Sequence, residues 1–566
     1  MNLWILFYNK QNRGTPDAPS AWTDDGMQRA RVGRTTLFFR VNDRYTEDQI
    51  FSASDTELLV QDGVVVNLDA LRAETGCTAL RDVLFSLGAD AYPARLTGPN
   101  CGAYYTTQTD LLRCHTNHTG DGFLFYADMP EYTAVSNDLN LIHAWLKHTG
   151  QPVTPDERAL MALMTYGFMI DDRTPVSEIC RLGPGKRLLV TPEGARTEVY
   201  CRFEFADREM TKDEALEKMD ALFRASVERS FRKDLAYGIT NHLTDMSGGL
   251  DSRMTNVVAR DLGFDGIVDM NYCQSGSVEL RCSSAVAAHL GNRFLYMQLD
   301  DHSFLYDIDK LIDMNYGLAI FCGITGGEQM LSALNTAAFG LEHTGMLGGA
   351  VADCYCNADQ HMPVSQTDYR YSQTVDFPIP EDVLRAYENN EAFGFYCRGF
   401  RGVLSTGLIR RHYAYPVSPF VDPELLAFCF SIPLRYRNEH RLYLRWIEKK
   451  YPDVASLPST RPPYSKPLSM LFWRARRKSG VLRYALLKKL GRADLSRPRD
   501  MNPFSYWWDT DEKLRAFCDA YYQDNMPRLE MCPSIRDDVE TLYASSLVMD
   551  KMLALNVLGV FKRYFS

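Results

Sequence analysis

From residue 1 to about 200 the pattern of apolar and polar positions breaks into short β-like runs separated by turn residues. Leu3 to Tyr8, Thr35 to Val41, Glu57 to Val60, Gly63 to Asn67, Cys101 to Thr106 and Gly122 to Tyr126 read as strands. Ala79 to Leu87 and Asn137 to Lys147 read as helices, the second with Leu139, His143 and Leu146 on one face. A sheet-rich first domain over 1–205 is the expectation.

The period changes after Phe205. Thr211 and Glu214 form a capping box, and Leu216, Met219, Phe223 and Val227 follow at helical spacing, so a helix opens a second domain over 206–566. Strand and helix then alternate. Leu235 to Asp245, Gly266 to Cys273 and Arg293 to Leu299 read as strands. Asp251 to Leu262 and Val278 to Leu290 read as helices closed by Gly263 and Gly291. Such a βαβαβ run implies a parallel sheet whose ligands bind at the carboxyl ends of its strands. From about Tyr369 helical periodicity dominates, punctuated by Pro416, Pro419, Pro423 and Pro433. The expected fold class is therefore α/β, with an α+β N-terminal domain and a helical C-terminal part.

Length makes two domains natural, since 566 residues exceed what one core usually supports. Apolar residues at 45% and charged residues at 24% indicate a folded, soluble chain. The formal charge of −10 argues against broad attraction to nucleic acid or anionic lipid, and neither is expected as a partner. Arg474 to Arg499 is the local exception, read as a solvated helix face. The apolar start is too short for a secretory core, and Leu547 to Phe561 is broken by Asp550, Lys551 and Asn556. Without an export signal, the 14 cysteines read as reduced and mostly buried, and the expected location is the cytoplasm.

The sequence Ser247-Gly248-Gly249-Leu250-Asp251-Ser252 falls at the first strand-to-helix turn of the βαβ run. Two glycines let the backbone approach an anion. Two hydroxyls and the exposed N–H groups of the next helix donate to it, which makes phosphate the natural guest. Asp251 fits an anion site once Mg²⁺ is added, because magnesium commonly uses one or two carboxylates together with phosphate oxygens.

This motif resembles the pyrophosphate-binding loop of the ATP pyrophosphatases, and the chain is similar to the asparagine-synthetase branch of that group. Ser277-Val278-Glu279-Leu280 with Ala285 to Gly291 resembles the family's second βα unit. Pro419-Phe420-Val421-Asp422-Pro423-Glu424-Leu425-Leu426 resembles its "PFLD…LVE" stretch. In the first half Asp62-Gly63, Arg95 to Gly98, Ser136 to Leu139 and Arg181 to Lys186 resemble landmarks of its glutamine-amidotransferase domain. The resemblance implies an N-terminal Ntn-hydrolase-like sandwich, then an adenine-nucleotide alpha-hydrolase-like parallel sheet.

It also implies ATP and Mg²⁺ as cofactors. Ser247, Gly248, Gly249, Asp251 and Ser252 would contact pyrophosphate or its metal, and Tyr272 and Cys273 would lie near adenine. In the second acidic motif, Leu347 to Asp353, Gly349 would line the nucleotide site and Asp353 would be the second metal ligand. An ordinary turn with a surface acid is the alternative there. Lys466 sits where relatives carry a catalytic cation, with a solvated lysine in a proline-rich loop as its alternative.

Four positions depart from the family's pattern, among them Asp62, which stands where the family's oxyanion site has Asn. Ala350 and Cys354 replace acidic residues. Asn2 stands where the glutaminase nucleophile would be a cysteine, and a carboxamide offers neither ionisation nor activation. The implied activity is therefore ATP-dependent amide formation of the asparagine synthase type without glutamine hydrolysis. The substrates would be a small-molecule or peptide carboxylate and ammonia or an amine, and the likeness leaves room for a homodimer. The alternatives are a cyclase of the β-lactam synthetase or lasso-peptide type, and a nucleotide-binding scaffold that has lost catalysis.

Overall fold

The computed structural model describes all residues except 13, 15, 349–361, 365–369, 461–466 and 494–498. Two six-stranded sheets build the first 200 residues. One runs Cys180–Arg181, Phe125–Asp128, Tyr132–Ser136, Leu3–Asn9, Thr35–Arg40, Gln28–Val32. The other runs Gly194–Val199, Lys186–Thr191, Leu111–Thr116, Asn100–Thr106, Glu57–Gly63, Ile50–Ala53. Every pairing within them is antiparallel. Alternation along Leu3–Asn9 decides the layering. Trp4, Leu6 and Tyr8 point to Leu58, Val60, Ala103, Tyr105, Leu112 and Cys114 of the facing sheet, whereas Ile5 and Phe7 point outward to Leu139, Ile142 and Trp145 of a covering helix. With Leu68–Thr75 and Leu80–Leu87 packed over their own apolar cluster next to the second sheet, the order is helix, sheet, sheet, helix.

The capping box forms as expected, with Thr211 Oγ1 accepting from Glu214 N at 3.2 Å and Glu214 Oε2 accepting from Thr211 N at 2.7 Å. The helix it opens runs for 25 residues, Lys212–Ala236. It therefore absorbs the start of the expected strand Leu235 to Asp245, which shrinks to His242–Asp245. Helical spacing of buried Phe231, Lys233 and Asp234 overrides the apolar look of that segment. Gly63 to Asn67 is likewise no strand beyond Gly63, because Gly63 turns the chain at φ +99° and a helix starts at Leu68.

Five parallel strands form the second sheet system, in the order Arg293–Gln298, Ile267–Cys273, His242–Asp245, Glu342–His343, Pro416–Val417. The first three strands in sequence run one way across the sheet and the last two run the other. Strand order thus reverses between His242–Asp245 and Glu342–His343, which places the crevice of a parallel α/β sheet there. The remainder is helical, ending in Val548–Tyr564, which shares one apolar cluster with Ile5, Phe7, Leu139 and Leu160 of the first half. No linker separates the halves at this face.

Candidate functional site

The strand His242–Asp245 ends at the reversal of strand order, and Met246 N still donates to Met270 O at 3.0 Å before the chain turns. Residues 247–250 form the turn, and the helix Asp251–Asp261 begins at once. Gly248 is required by contact and not by backbone angle. A Cβ there would stand 2.6 Å from Thr460 Cγ2 and 2.9 Å from Glu279 Oε2.

The hydroxyls of the turn face inward. Ser252 Oγ accepts from Ser247 N at 2.9 Å and lies 2.8 Å from Ser247 Oγ, which accepts from Gly249 N at 3.2 Å. Glu279, from the first turn of the helix Val278–Leu290, accepts from Gly248 N at 2.6 Å. Acceptor oxygens of the chain itself thus stand on three consecutive loop amides. These are the donors an anion would engage, and rotation of two hydroxyls and one carboxylate frees them. Burial pushes the Glu279 carboxyl up, against the hydrogen bond from Gly248.

Asp251 is half-buried at the N-terminus of its helix. Burial pushes its carboxyl up to about 6, against a hydrogen bond from Tyr443 that favours the charged form. The segment that follows Glu342–His343 packs directly on it. A Cβ on Gly345 would stand 2.6 Å from Ser252 Cα, and one on Gly348 would stand 2.5 Å from Asp251 Oδ1. Leu347 takes φ +61° to bring Gly348 in, a conformation that non-glycine residues rarely adopt and that recurs at functional turns.

Ser247, Gly248, Gly249, Asp251 and Ser252 are therefore together, with the start of the second glycine motif beside them. Tyr272 and Cys273 end the neighbouring strand, which pairs with Asp245 through Met270. Their side chains are engaged within the protein. The Tyr272 hydroxyl receives a hydrogen bond from Arg410 Nη2 at 3.0 Å, and the buried Cys273 thiol donates to Asn271 Oδ1 at 3.1 Å. Gly349, Asp353 and Lys466 lie outside the described residues. The approach to Lys466 starts at the loop, where Thr460 N donates to Gly248 O at 3.1 Å and Pro458 O accepts from Arg253 Nη2 at 2.6 Å.

Three features escaped sequence reasoning. Glu279 was visible only as part of a family-like stretch, although an acid in the first turn of a helix facing a glycine turn is a natural partner for loop amides. Gly345 and Gly348 carried no signal of close approach to Asp251. The third is Arg410, which bridges Glu342, Asp245 at 3.2 Å and the Tyr272 hydroxyl beneath the crevice.

The side chain of Asn2 is packed and hydrogen-bonded, next to a cavity lined by Met1, Asp62, Asn100, Asn137 and Arg411. Fully buried Asn2 donates through Nδ2 to Asp62 Oδ1 at 2.7 Å and Gln49 Oε1 at 2.9 Å, and its Oδ1 accepts from Asn42 N at 2.8 Å. Asp62 Oδ2 accepts from Trp4 Nε1 at 3.0 Å and Asn137 Nδ2 at 2.8 Å. No ionisable nucleophile stands at residue 2. The carboxylate that faces it accepts from three donors, Asn2, Trp4 and Asn137.

Among the described residues, one further group has the chemistry of metal ligands. Asp234, His242 and His343 are buried, with Asp234 Oδ2 at 2.7 Å from His242 Nδ1 and 2.8 Å from His343 Nε2. Those are direct hydrogen-bond separations, and Asp234 Oδ1 also accepts from Tyr45 and Leu341 N. An ion would have to push the ligands apart. Burial acts to raise the Asp234 carboxyl, but His343 and the hydrogen bonds outweigh it and hold it at about 2. With Lys233 on Asp48 at 2.5 Å, this cluster fastens the N-terminal half to the amino ends of the parallel sheet.

No family model matches the chain, and no curated protein matches it. Among solved structures, glutamine phosphoribosylpyrophosphate amidotransferase from B. subtilis, complexed with ADP and GMP, is similar over 47% of this chain and 77% of that one. Identity is 10% and the TM-score 0.20. A structure of the allosteric regulatory enzyme of purine biosynthesis is similar over 52% of this chain and 74% of that one, at 10% identity and a TM-score of 0.22. Neither likeness says what this chain does.

Proposed function

We propose that the chain is an ATP-dependent amide ligase of the asparagine synthase type that works without hydrolysing glutamine. The reading rests on one observation. A Ser-Gly-Gly-Leu-Asp-Ser turn opens a helix at the point where a parallel sheet reverses its strand order. A carboxylate oxygen of the substrate would attack the α-phosphorus of ATP. The new O–P bond forms as the bond to pyrophosphate breaks. Ammonia or an amine would then attack the activated acyl carbon, releasing AMP and a proton and leaving an amide.

In this scheme the amides of Ser247, Gly248 and Gly249 hold pyrophosphate oxygens once Glu279 and the two hydroxyls turn away. Asp251 fits a magnesium ligand, because its carboxylate opens the helix directly after the loop amides that would hold phosphate. The metal would supply neutralisation of the leaving pyrophosphate. Asp353 as second ligand and Lys466 as a charge-steadying cation complete the proposal.

The locked surroundings of Asn2 favour a second version, in which an amine within the substrate replaces ammonia and the product is cyclic. Exchange of labelled pyrophosphate into ATP, run with aspartate, with other small acids and with carboxylate-bearing peptides, separates these versions. Exchange with none of them would leave only the scaffold reading.

A further inference from the structure

The helix Pro467–Lys489 has seven Lys or Arg and no acid, in a chain whose formal charge is −10. At 100° per residue, Leu471, Phe472, Ala475, Leu482 and Leu486 fall within an arc of about 100°. Leu490 continues the stripe just past the last turn. These are not core residues that drifted outward. Leu471, Phe472, Leu482, Leu486 and Leu490 are between 60% and 74% exposed, the largest apolar exposures in one place among the described residues. Arg474 and Lys478 border the stripe on one side, and Arg476 and Arg483 on the other.

The helix is held by its opposite face. Tyr484, about 170° round from the middle of the stripe, donates to Asp509 Oδ2 at 2.5 Å and Ser505 O at 3.0 Å, and Lys488 pairs with Asp509 at 2.9 Å. The tether therefore points the apolar stripe away from the protein. The result is a convex ridge about 35 Å long, not a groove.

We infer that this ridge binds the surface of an anionic phospholipid bilayer, lying in the plane of the headgroups with its leucines and Phe472 among the acyl chains. Charge selects the occupant. A second copy of the chain would bring two all-positive borders together, whereas anionic headgroups neutralise both borders while the stripe leaves water. Shape agrees, since a convex ridge enters a soft interface and protein recognition of peptides uses concave surfaces. No described helix is long and apolar enough to cross a membrane, so the chain would lie on the surface without spanning it. The expectation that anionic lipid is no partner came from net charge, which averages this helix with the acidic remainder.

Sedimentation with vesicles of phosphatidylcholine alone, and with about one third phosphatidylglycerol added, tests the inference on the full chain. Partitioning should favour the anionic vesicles at least about tenfold and weaken as salt rises from about 50 to 500 mM. Leu482→Asp with Leu486→Asp should lower it by about a hundredfold. Arg476→Glu with Arg483→Glu should lower it by about tenfold or more. All four side chains are exposed, so thermal unfolding should not move in either double variant. Equal binding to both vesicles, no binding, or binding indifferent to both double variants would overturn the inference. So would a dimer in light scattering that the leucine variant dissolves without any vesicle binding, since the ridge would then seat a second copy.

Discussion

Replacing Asp251 with Asn separates the electrostatic cost of the site from its use. The folded carboxyl titrates at about 6 and the ordinary value is 3.8. A raised carboxyl means that the native chain keeps a proton which the unfolded chain gives up, so ionised Asp251 opposes folding. That opposition is absent below about pH 4, grows between about 4 and 6, and is complete above. The gap corresponds to roughly 3 kcal/mol at neutral pH, which contact with water at this half-buried position trims to about 1–2 kcal/mol. Asp251→Asn should therefore raise the melting temperature by about 1–2 °C at pH 7.5 and leave it unchanged at pH 4. The same variant should lose Mg²⁺-dependent pyrophosphate exchange by at least about a hundredfold, and Mg·ATP should stabilise the wild type but not the variant. A variant no more stable than wild type at pH 7.5 would refute the buried-charge argument. Unchanged exchange would refute the metal role separately.

Gly348→Ala should cost about 1–3 kcal/mol and suppress exchange, because the new methyl meets Asp251 Oδ1 at 2.5 Å; thermal unfolding and the exchange assay read both. Lys233→Met should destabilise the chain by about 3–5 kcal/mol in denaturant unfolding, since it leaves Asp48 buried without its ammonium partner. Asn2→Cys should release no glutamate from glutamine above background. A thiol at that site would face the carboxylate of Asp62, where an oxyanion needs donors.

Legibility followed the range of the forces involved. The capping box at Thr211, the glycine stops at Gly263 and Gly291 and the short apolar run Leu3 to Tyr8 are local signals, and each sits where the sequence places it. The glycine turn was legible for the same reason, because six adjacent residues carry it. Close approach was not. Gly345 and Gly348 matter through atoms nearly a hundred positions earlier, and Glu279 through an amide 31 positions away. The strand expected over Leu235 to Asp245 failed where Lys233 and Asp234 are buried by ion pairing and hydrogen bonds, because periodicity scores such residues as polar. The leucines of Pro467–Lys489 show the converse, since apolar spacing alone does not say whether a face is covered.

The helix Val548–Tyr564 has a consequence for how the chain is made. Tyr564 donates to Asn140 Oδ1 at 3.0 Å, its carbonyl lies 3.1 Å from His143 Nε2, and Leu553, Leu555 and Leu558 fill the cluster behind the first sheet. The layer outside the helix Leu139–His148, which covers the strand Leu3–Asn9, is thus supplied by residues 548–564, made about 400 positions later. During synthesis the first half must wait with Ile142, Leu160 and Leu163 uncovered, which exposes nascent chains to chaperones and marks C-terminal truncation as a route to aggregation.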